Sequence, residues 1–415
     1  MTVRPEFHFT AATGWINDPH GITVHDGEYH VFFQYVPGRT DWAPNCHWGH
    51  ARGGDLFSLQ ELPVAIAPGG GDGGIWTGSL VTDSDGCTRV FYTSVSETDF
   101  GIGRIRIAEP LDEDLLTWTK GRFVADAPAD SDLVAFRDPF VRRDPDTWRM
   151  FVGAGDIHGT AMALSYRSDD LQCWQYEGVA LARAANDTTD VWMGSLWECP
   201  QIIDVDGHAV MVSSVWDDDV LHYVGYTIGE YDAGRFTANR WGRLSYGDSY
   251  YAPSFFRDHR GRPCLTFWMR GVADVQAGWA GAHSIPHLLS VVDGVLVATP
   301  HPDLTRYRVA ERRSQIEGFA ADITWTPEPG GLVITSGGCD ILSLTVTDDD
   351  FLSVTTAEST SLVPFSGDVR IILDGPVLEI STTRGLFGAT LTVSGTGLTV
   401  KVGGQPRPIA HALSR

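Results

Sequence analysis

The chain has 415 residues, enough for one large domain or two with a sizeable core. Its formal charge of −23, from 30 basic and 53 acidic side chains, argues against nucleic acid or an anionic lipid surface as partner and disfavours a phosphorylated substrate. No run of about 20 apolar residues marks a membrane span, and Met1 to His8 begin no signal-peptide stretch, so a cytoplasmic protein is expected.

From about residue 15 to 300, short β-type runs alternate with turn signals. Strands are expected at 30–35, 90–94, 104–108, 148–153, 161–165, 209–215, 223–227 and 263–269. Asp26-Gly27, Asp85-Gly86, Asp206-Gly207, Arg260-Gly261 and Asp293-Gly294 supply the turns. No helix is expected, because the 3.6-residue period is nowhere sustained.

A repeat underlies this texture. Asn17-Asp18-Pro19, Trp76-Thr77-Gly78-Ser79, Arg137-Asp138-Pro139, Glu198-Cys199-Pro200 and Tyr251-Ala252-Pro253-Ser254 recur about every 60 residues. Five units with room for about four strands each predict a five-bladed β-propeller over 1–300. Its first strands would line a central channel and bring the motifs to one mouth. A sandwich or barrel with accidental spacing is the rival reading. After a charged linker at 301–317, alternation at 331–335, 341–346, 369–373, 377–382 and 389–393 predicts a short C-terminal β-sandwich over 318–415. The fold class is all-β.

Three carboxylates stand in matching repeat positions: Asp18, Asp138 and Glu198. Two carboxyl groups in different protonation states are the usual equipment for cleaving a glycosidic bond, and a third can hold sugar hydroxyls. The proline after each aspartate is expected to keep the acid's residue extended. Glu198, between Trp197 and Cys199, has an apolar setting that would keep it protonated as a general acid. Asp18 follows the polar Asn17, which suits an ionised nucleophile. Arg137 adjoins Asp138, and on a regular strand the two would point to opposite faces.

These residues carry a resemblance. Trp15-Ile16-Asn17-Asp18-Pro19-His20-Gly21 resembles the Trp-x-Asn-Asp-Pro-Asn-Gly signature of glycoside hydrolase family 32. Phe32-Phe33-Gln34-Tyr35, His47-Trp48-Gly49-His50-Ala51, Trp76-Thr77-Gly78-Ser79, Phe136-Arg137-Asp138-Pro139 and Trp197-Glu198-Cys199-Pro200 follow in that family's order. The resemblance implies a propeller plus sandwich and a retaining mechanism on β-fructofuranosides such as sucrose or short fructo-oligosaccharides. It implies Asp18 as nucleophile, Glu198 as acid/base and Asp138 as transition-state stabiliser. It also implies that Gln34, Trp42, Trp76, Ser79 and Arg137 line the fructose pocket, together with Asn17 beside the nucleophile.

Three departures stand out. His20 replaces the usual asparagine beside the nucleophile and is expected to affect what is accepted beyond the fructose. Leu59 replaces a frequent tryptophan, and the C-terminal part is shorter than usual. Fructosyl transfer through the same intermediate and a non-catalytic sugar-binding role are the rival functions. No cofactor or metal is expected. Cys46, His47 and His50 lack a second ligand cluster, Ser79 lacks a histidine partner, and the 69–74 glycine run lacks the lysine of a phosphate loop. The six cysteines are scattered and read as reduced thiols. The resemblance implies a small fructose-containing saccharide as partner, and a monomer or homodimer is expected.

Overall fold

A computed structural model describes residues 3–96, 98–312, 314–347, 350–404 and 407–415. Among them the secondary structure is β, apart from one 3-10 helix at Pro302–Tyr307. No helix is long and apolar enough to cross a membrane.

The expected strands of the first 300 residues all form, each longer than anticipated and most by three residues or more. Their hairpins follow from turn chemistry. At Asp26-Gly27, Asp206-Gly207 and Asp293-Gly294 both central residues have positive φ, from 49° to 83°, as a type I′ turn requires. Three four-stranded antiparallel sheets follow in chain order, beginning with Gly74–Thr82, Leu133–Arg143 and Leu196–Val205. A nine-stranded sheet joins the start of the chain to the 250–300 region, because Gly14 and Trp15 pair in parallel with Trp279 and Ala280.

The first strands pack side by side. Gly14–His25 lies against Gly74–Thr82 and Tyr250–Arg257; Leu133–Arg143 lies against Gly74–Thr82 and Leu196–Val205; and Leu196–Val205 lies against Tyr250–Arg257. Apolar side chains fill the wedges between successive sheets. Phe91, Phe136 and Met150 meet in one wedge, and Phe151, Trp197 and Met211 in the next.

Each of these inner strands is broken at its motif. Asn17 and Asp18 oppose the single residue Gln34, Asp138 and Pro139 oppose Val152, Cys199 and Pro200 oppose Ser213, and Ala252 and Pro253 oppose Phe267. Thr77 is likewise an extra residue between Trp76 and Gly78. These are β-bulges, which re-aim side chains. Asp138, Cys199 and Ala252 take left-handed φ of 64°, 52° and 47°. The proline after Asp138 therefore does not hold it extended. The bulge needs a left-handed residue there, at a cost of about 1–3 kcal/mol that the surrounding packing must offset.

The C-terminal region forms a seven-stranded and a six-stranded sheet over a shared core that includes Trp325, Ile334, Leu344, Leu373 and Phe387. The expected run at 389–393 is strand only to Thr390, where Leu391 turns to donate its N–H to the Pro376 carbonyl. In the expected linker, residues 302–312 and 315–317 carry regular structure. They contain the 3-10 helix, the strand Arg308–Arg312 paired with Ile409–Leu413, and Gln315–Glu317 paired with Gly397–Val402.

The chain's beginning is bolted to these sheets. Asp374 accepts the backbone N–H groups of Glu6, Phe7 and His8, and the His8 imidazole lies 2.8 Å from Asp374 and 2.9 Å from Glu379. Glu379 also accepts the Ile285 N–H and lies 3.3 Å from His287, and all four side chains are buried. Burial alone would lower His8, but the two carboxylates outweigh it and raise it from 6.5 to about 9. Burial would raise Glu379, but His287 and His8 hold it down from 4.5 to about 2.

His8 thus adds stability that is full below about 6.5 and is lost as pH rises through about 9. Glu379 adds stability that is full above about 4.5 and is lost as pH falls through about 2. Replacing Glu379 by glutamine is expected to cost about 3–5 kcal/mol in urea unfolding near pH 6. The difference from wild type should shrink toward both pH extremes. A difference that stays flat across the range would contradict this account.

Candidate active site

The bulged motifs bring Asn17 with Asp18, Arg137 with Asp138, and one residue each from the other three, Trp76, Glu198 and Tyr251, into one cleft of about 640 Å³. Its wall contains Asn17, Asp18, Gln34, Trp42, Trp76, Arg137, Asp138, Glu198 and Tyr251, gathered from five inner strands, the adjacent strand Glu28–Val36 and the loop that follows it. The motifs form two tiers. The residue before each proline, Asp18, Asp138, Cys199 and Ala252, is deep and at most 9% exposed. The residue one position earlier, Arg137, Glu198 or Tyr251, stands above it. The three acids are therefore not in equivalent repeat positions. Glu198 is offset by one residue from the two aspartates, which puts it on the upper tier.

On the lower tier, Asp18 accepts three hydrogen bonds. Asn17 Nδ2 donates to Oδ1 at 3.0 Å, while Gln34 Nε2 at 3.0 Å and Thr77 Oγ1 at 2.6 Å donate to Oδ2. Gln34 also donates to Thr77. Asp138 accepts the Cys199 N–H at 3.0 Å, and its own N–H donates to Thr93. The Cys199 thiol lies between the two aspartates, 3.8 Å from Asp18 and 3.7 Å from Asp138.

On the upper tier, Glu198 is held from both sides. Arg137 Nε donates to Oε1 at 2.9 Å and the Tyr251 hydroxyl donates to Oε2 at 2.6 Å. The expected apolar setting of Glu198 is thus a guanidinium and a phenol instead, because Trp197 points into the core behind it. Arg137 and Asp138 both face the cleft, since the bulge cancels the alternation that would have separated them.

Electrostatics modify the expected roles. Burial pushes Asp18 up to about 6, aided by the charge of Glu198 and opposed by the bonds from Thr77 and Asn17. Asp138 is also raised, mainly by burial and by Glu198, against the pull of Arg137. Asp18 was expected to be readily ionised beside Asn17. It is instead poised within the physiological range, because its polar neighbour does not make up for lost water.

Aromatic rings complete the wall. Trp42 is 45% exposed and packs edge-on against Trp76, whose other neighbour is Phe100, stacked at 6.3 Å. Trp15 and Trp268 meet edge-to-face at 5.5 Å. Their indole N–H groups and Asn17 Oδ1 are buried without protein partners. Buried polar atoms are rarely left so, and here they border a cleft where a hydroxyl-bearing ligand would satisfy them.

Two expected residues lie elsewhere. Ser79 is buried and accepts the Val141 N–H at 3.0 Å, tying two inner strands together. Thr77, inserted by the bulge, faces Asp18 in its place. His20 points away from the cleft, its Nδ1 donating to the Asp18 carbonyl at 3.1 Å and its ring 4.1 Å from Trp48. Burial drives it well below its usual value, so it is neutral. It braces the backbone under Asp18 rather than facing a bound group.

Thr77, Tyr251, Trp15 and Trp268 were missed as site residues, although the first three lie inside quoted motifs. Trp268 stands opposite Tyr251 in the neighbouring strand, which only the register reveals. Cys46, His47 and His50 do not gather, since His50 pairs with His30 at 2.9 Å. Among the described residues one group, Asp258, Cys264 and His301, has metal-like spacing. Arg262 already occupies it, donating to Asp258 at 2.6 Å.

The family model described as the glycosyl hydrolases family 32 N-terminal domain matches residues 8–300. A sucrose-6-phosphate hydrolase of Zymomonas mobilis is 30% identical over 333 residues, covering 74% of this chain and 64% of the relative. A levanase of Bacillus subtilis is 31% identical over 345 residues, covering 75% of this chain and 48% of the relative. The matches thus span less than two thirds of these relatives. Among solved structures, a Bombyx mori GH32 beta-fructofuranosidase superposes with a TM-score of 0.86 at 23% identity, covering 99% of this chain and 94% of the other.

Because the Thr77 hydroxyl lowers Asp18, Thr77→Val should raise the Asp18 midpoint above about 6. A shift of about half to one pH unit is expected from one lost hydrogen bond. Carboxyl carbon NMR against pH, with Asp18→Asn to assign the signal, measures it. A downward shift would refute the assigned role of Thr77.

Proposed function

The chain belongs to glycosyl hydrolase family 32, and on that premise we propose that it is a retaining β-fructofuranosidase acting on small saccharides such as sucrose or short fructo-oligosaccharides. The observation that carries the reading is the pair of tiers. One holds a buried carboxylate gripped by three donors; the other holds a carboxyl positioned between an arginine and a tyrosine at the more open level. Nucleophilic displacement at a sugar needs these two differently placed acids.

In this mechanism Asp18 attacks the anomeric carbon of a terminal fructosyl unit and forms a covalent ester. Glu198 gives a proton to the departing oxygen. It then takes one from water, which cleaves the ester and releases fructose with retained configuration. Burial, aided by the charge of Glu198, pushes Asp18 up. Asp138 accepts hydrogen bonds from fructosyl hydroxyls, with Arg137, Gln34 and Asn17 beside it. The orphaned indole N–H groups of Trp15 and Trp268 supply further donors.

The same reading covers the scaffold. We take residues 1–300 as a five-bladed propeller, supported by the cycle of inner-strand contacts and by a bulge at the motif of each strand. Residues 318–415 are taken as the sandwich, with 301–317 built into its sheets. A cytoplasmic setting is supported by six free cysteines, three of them buried. Transfer to a second sugar would use the same intermediate. His20, expected to bear on that choice, lies off the cleft, so the acceptor side falls to Trp42, Phe100 and Trp216.

Fructose release from sucrose, 1-kestose, inulobiose and levanbiose tests the proposal. Asp18→Asn and Glu198→Gln should each lower kcat by about three orders of magnitude or more. The first fructose seen by NMR should be the β anomer. Since only ionised Asp18 attacks, kcat/KM should fall about tenfold per pH unit below about 6. Full activity in Asp18→Asn, or first release of the α anomer, would refute the assignment.

A further inference from the structure

The charge around the cleft bears on which fructoside enters it. Asp18, Asp138, Glu198 and Asp219 are acidic members of its wall, and among the described residues Arg137 is the one arginine or lysine there. Arg137 is already committed, with Nε donating to Glu198 and the guanidinium 6.0 Å from the Trp76 ring. Arg270 stands behind the wall, over the Tyr251 ring at 4.9 Å. Its two terminal nitrogens donate to the carbonyls of Leu221 and His222.

Asp219 sits at the rim for a structural reason. It is the second residue of the two-residue turn between His208–Asp217 and Val220–Asp232. Asp218 and Asp219 have φ of 48° and 59°, the left-handed pair of a type I′ hairpin, which aspartate tolerates better than most side chains. The turn therefore fixes a carboxylate at the mouth. Exposed or half-buried apolar residues of the wall include Trp42, Phe100, Val134, Trp216 and Leu221. Glu198, the proton donor to the leaving oxygen, is on the upper tier, so the leaving group lies toward this rim.

We propose, granted the fructosidase reading above, that the leaving-group side of the cleft is built for an uncharged sugar and that Asp219 is a specificity-determining residue that turns away a phosphorylated one. A phosphate ester carries about −1.5 to −2 charges at neutral pH. It is normally met by arginine, lysine or a helix N-terminus. Here it meets an exposed carboxylate beside apolar side chains, with a net charge of −23 on the whole chain behind it. Asp219 is exposed, so its repulsion of a phosphate is strongest at low salt and is screened as salt rises. The chain thereby differs in substrate from relatives named for a phosphorylated sucrose.

The test compares kcat/KM for sucrose and for sucrose 6-phosphate, using the full chain, Asp219→Asn and Asp219→Lys, with 1-kestose as a second neutral substrate. The wild type should favour sucrose by about 100-fold or more, and this ratio should narrow severalfold between about 10 mM and about 500 mM salt. Asp219→Lys should narrow it by about tenfold or more, and Asp219→Asn by less. Equal or better cleavage of the phosphorylated sugar by the wild type would overturn the proposal. A ratio unmoved in Asp219→Lys, shown by circular dichroism to be folded, would remove Asp219 from it. Failure to cleave any of the three sugars would instead defeat the fructosidase reading on which it rests.

Discussion

A regular strand shows alternate side chains to its two faces, so a cleft floored by regular strands would receive one residue from each motif and lose its neighbour to the core. In this protein the strands are bulged where they pass the cleft. The bulge is what lets Asn17 and Asp18, and Arg137 and Asp138, face the cleft together. The geometry of the site depends on that one constraint. The left-handed residues at 138, 199 and 252 are the local cost. The cost is sustained by the wedges of aromatic and aliphatic side chains that fix each sheet against the next.

The bulges also sort charge by depth. Residues immediately before the prolines form a water-poor floor, where burial disfavours ionisation of Asp18 and Asp138. One position earlier, the half-buried Glu198 meets the buried Arg137 and Tyr251. A shift of one position along the motif thus gives one carboxyl a different environment from the other two. Cys199 belongs to this arrangement through its backbone, whose N–H fixes Asp138, and through a thiol that fills the space between the aspartates.

The C-terminal sheets serve the site at a distance. Ser245–Gly247 adds a parallel strand to them, and residues 6–8 are gripped by Asp374 and His8 by Glu379. Both attachments lead back to the inner strands. The first precedes Tyr250–Arg257, and the second anchors the segment that runs into Gly14–His25. The strand pairing of Gly14 with Trp279 closes the same region from the other side. The position of Asp18 is therefore set by the far end of the chain as well as by its own sheet.

The sequence by itself determined the β character of the chain, its hairpin turns and the identity of the three acids. Period-2 alternation, Asp-Gly pairs and repeated acid-proline motifs are local signals, and local signals survive without a fold. Tertiary structure decided the rest. Ser79 and His20 look like cleft residues in their motifs, yet one ties two strands together and the other braces Asp18 from beneath. Thr77, Tyr251 and Trp268 became site residues only once bulges and strand register were fixed. The direction of a side chain on a bulged strand, and the water left around a carboxylate, depend on partners from other parts of the chain.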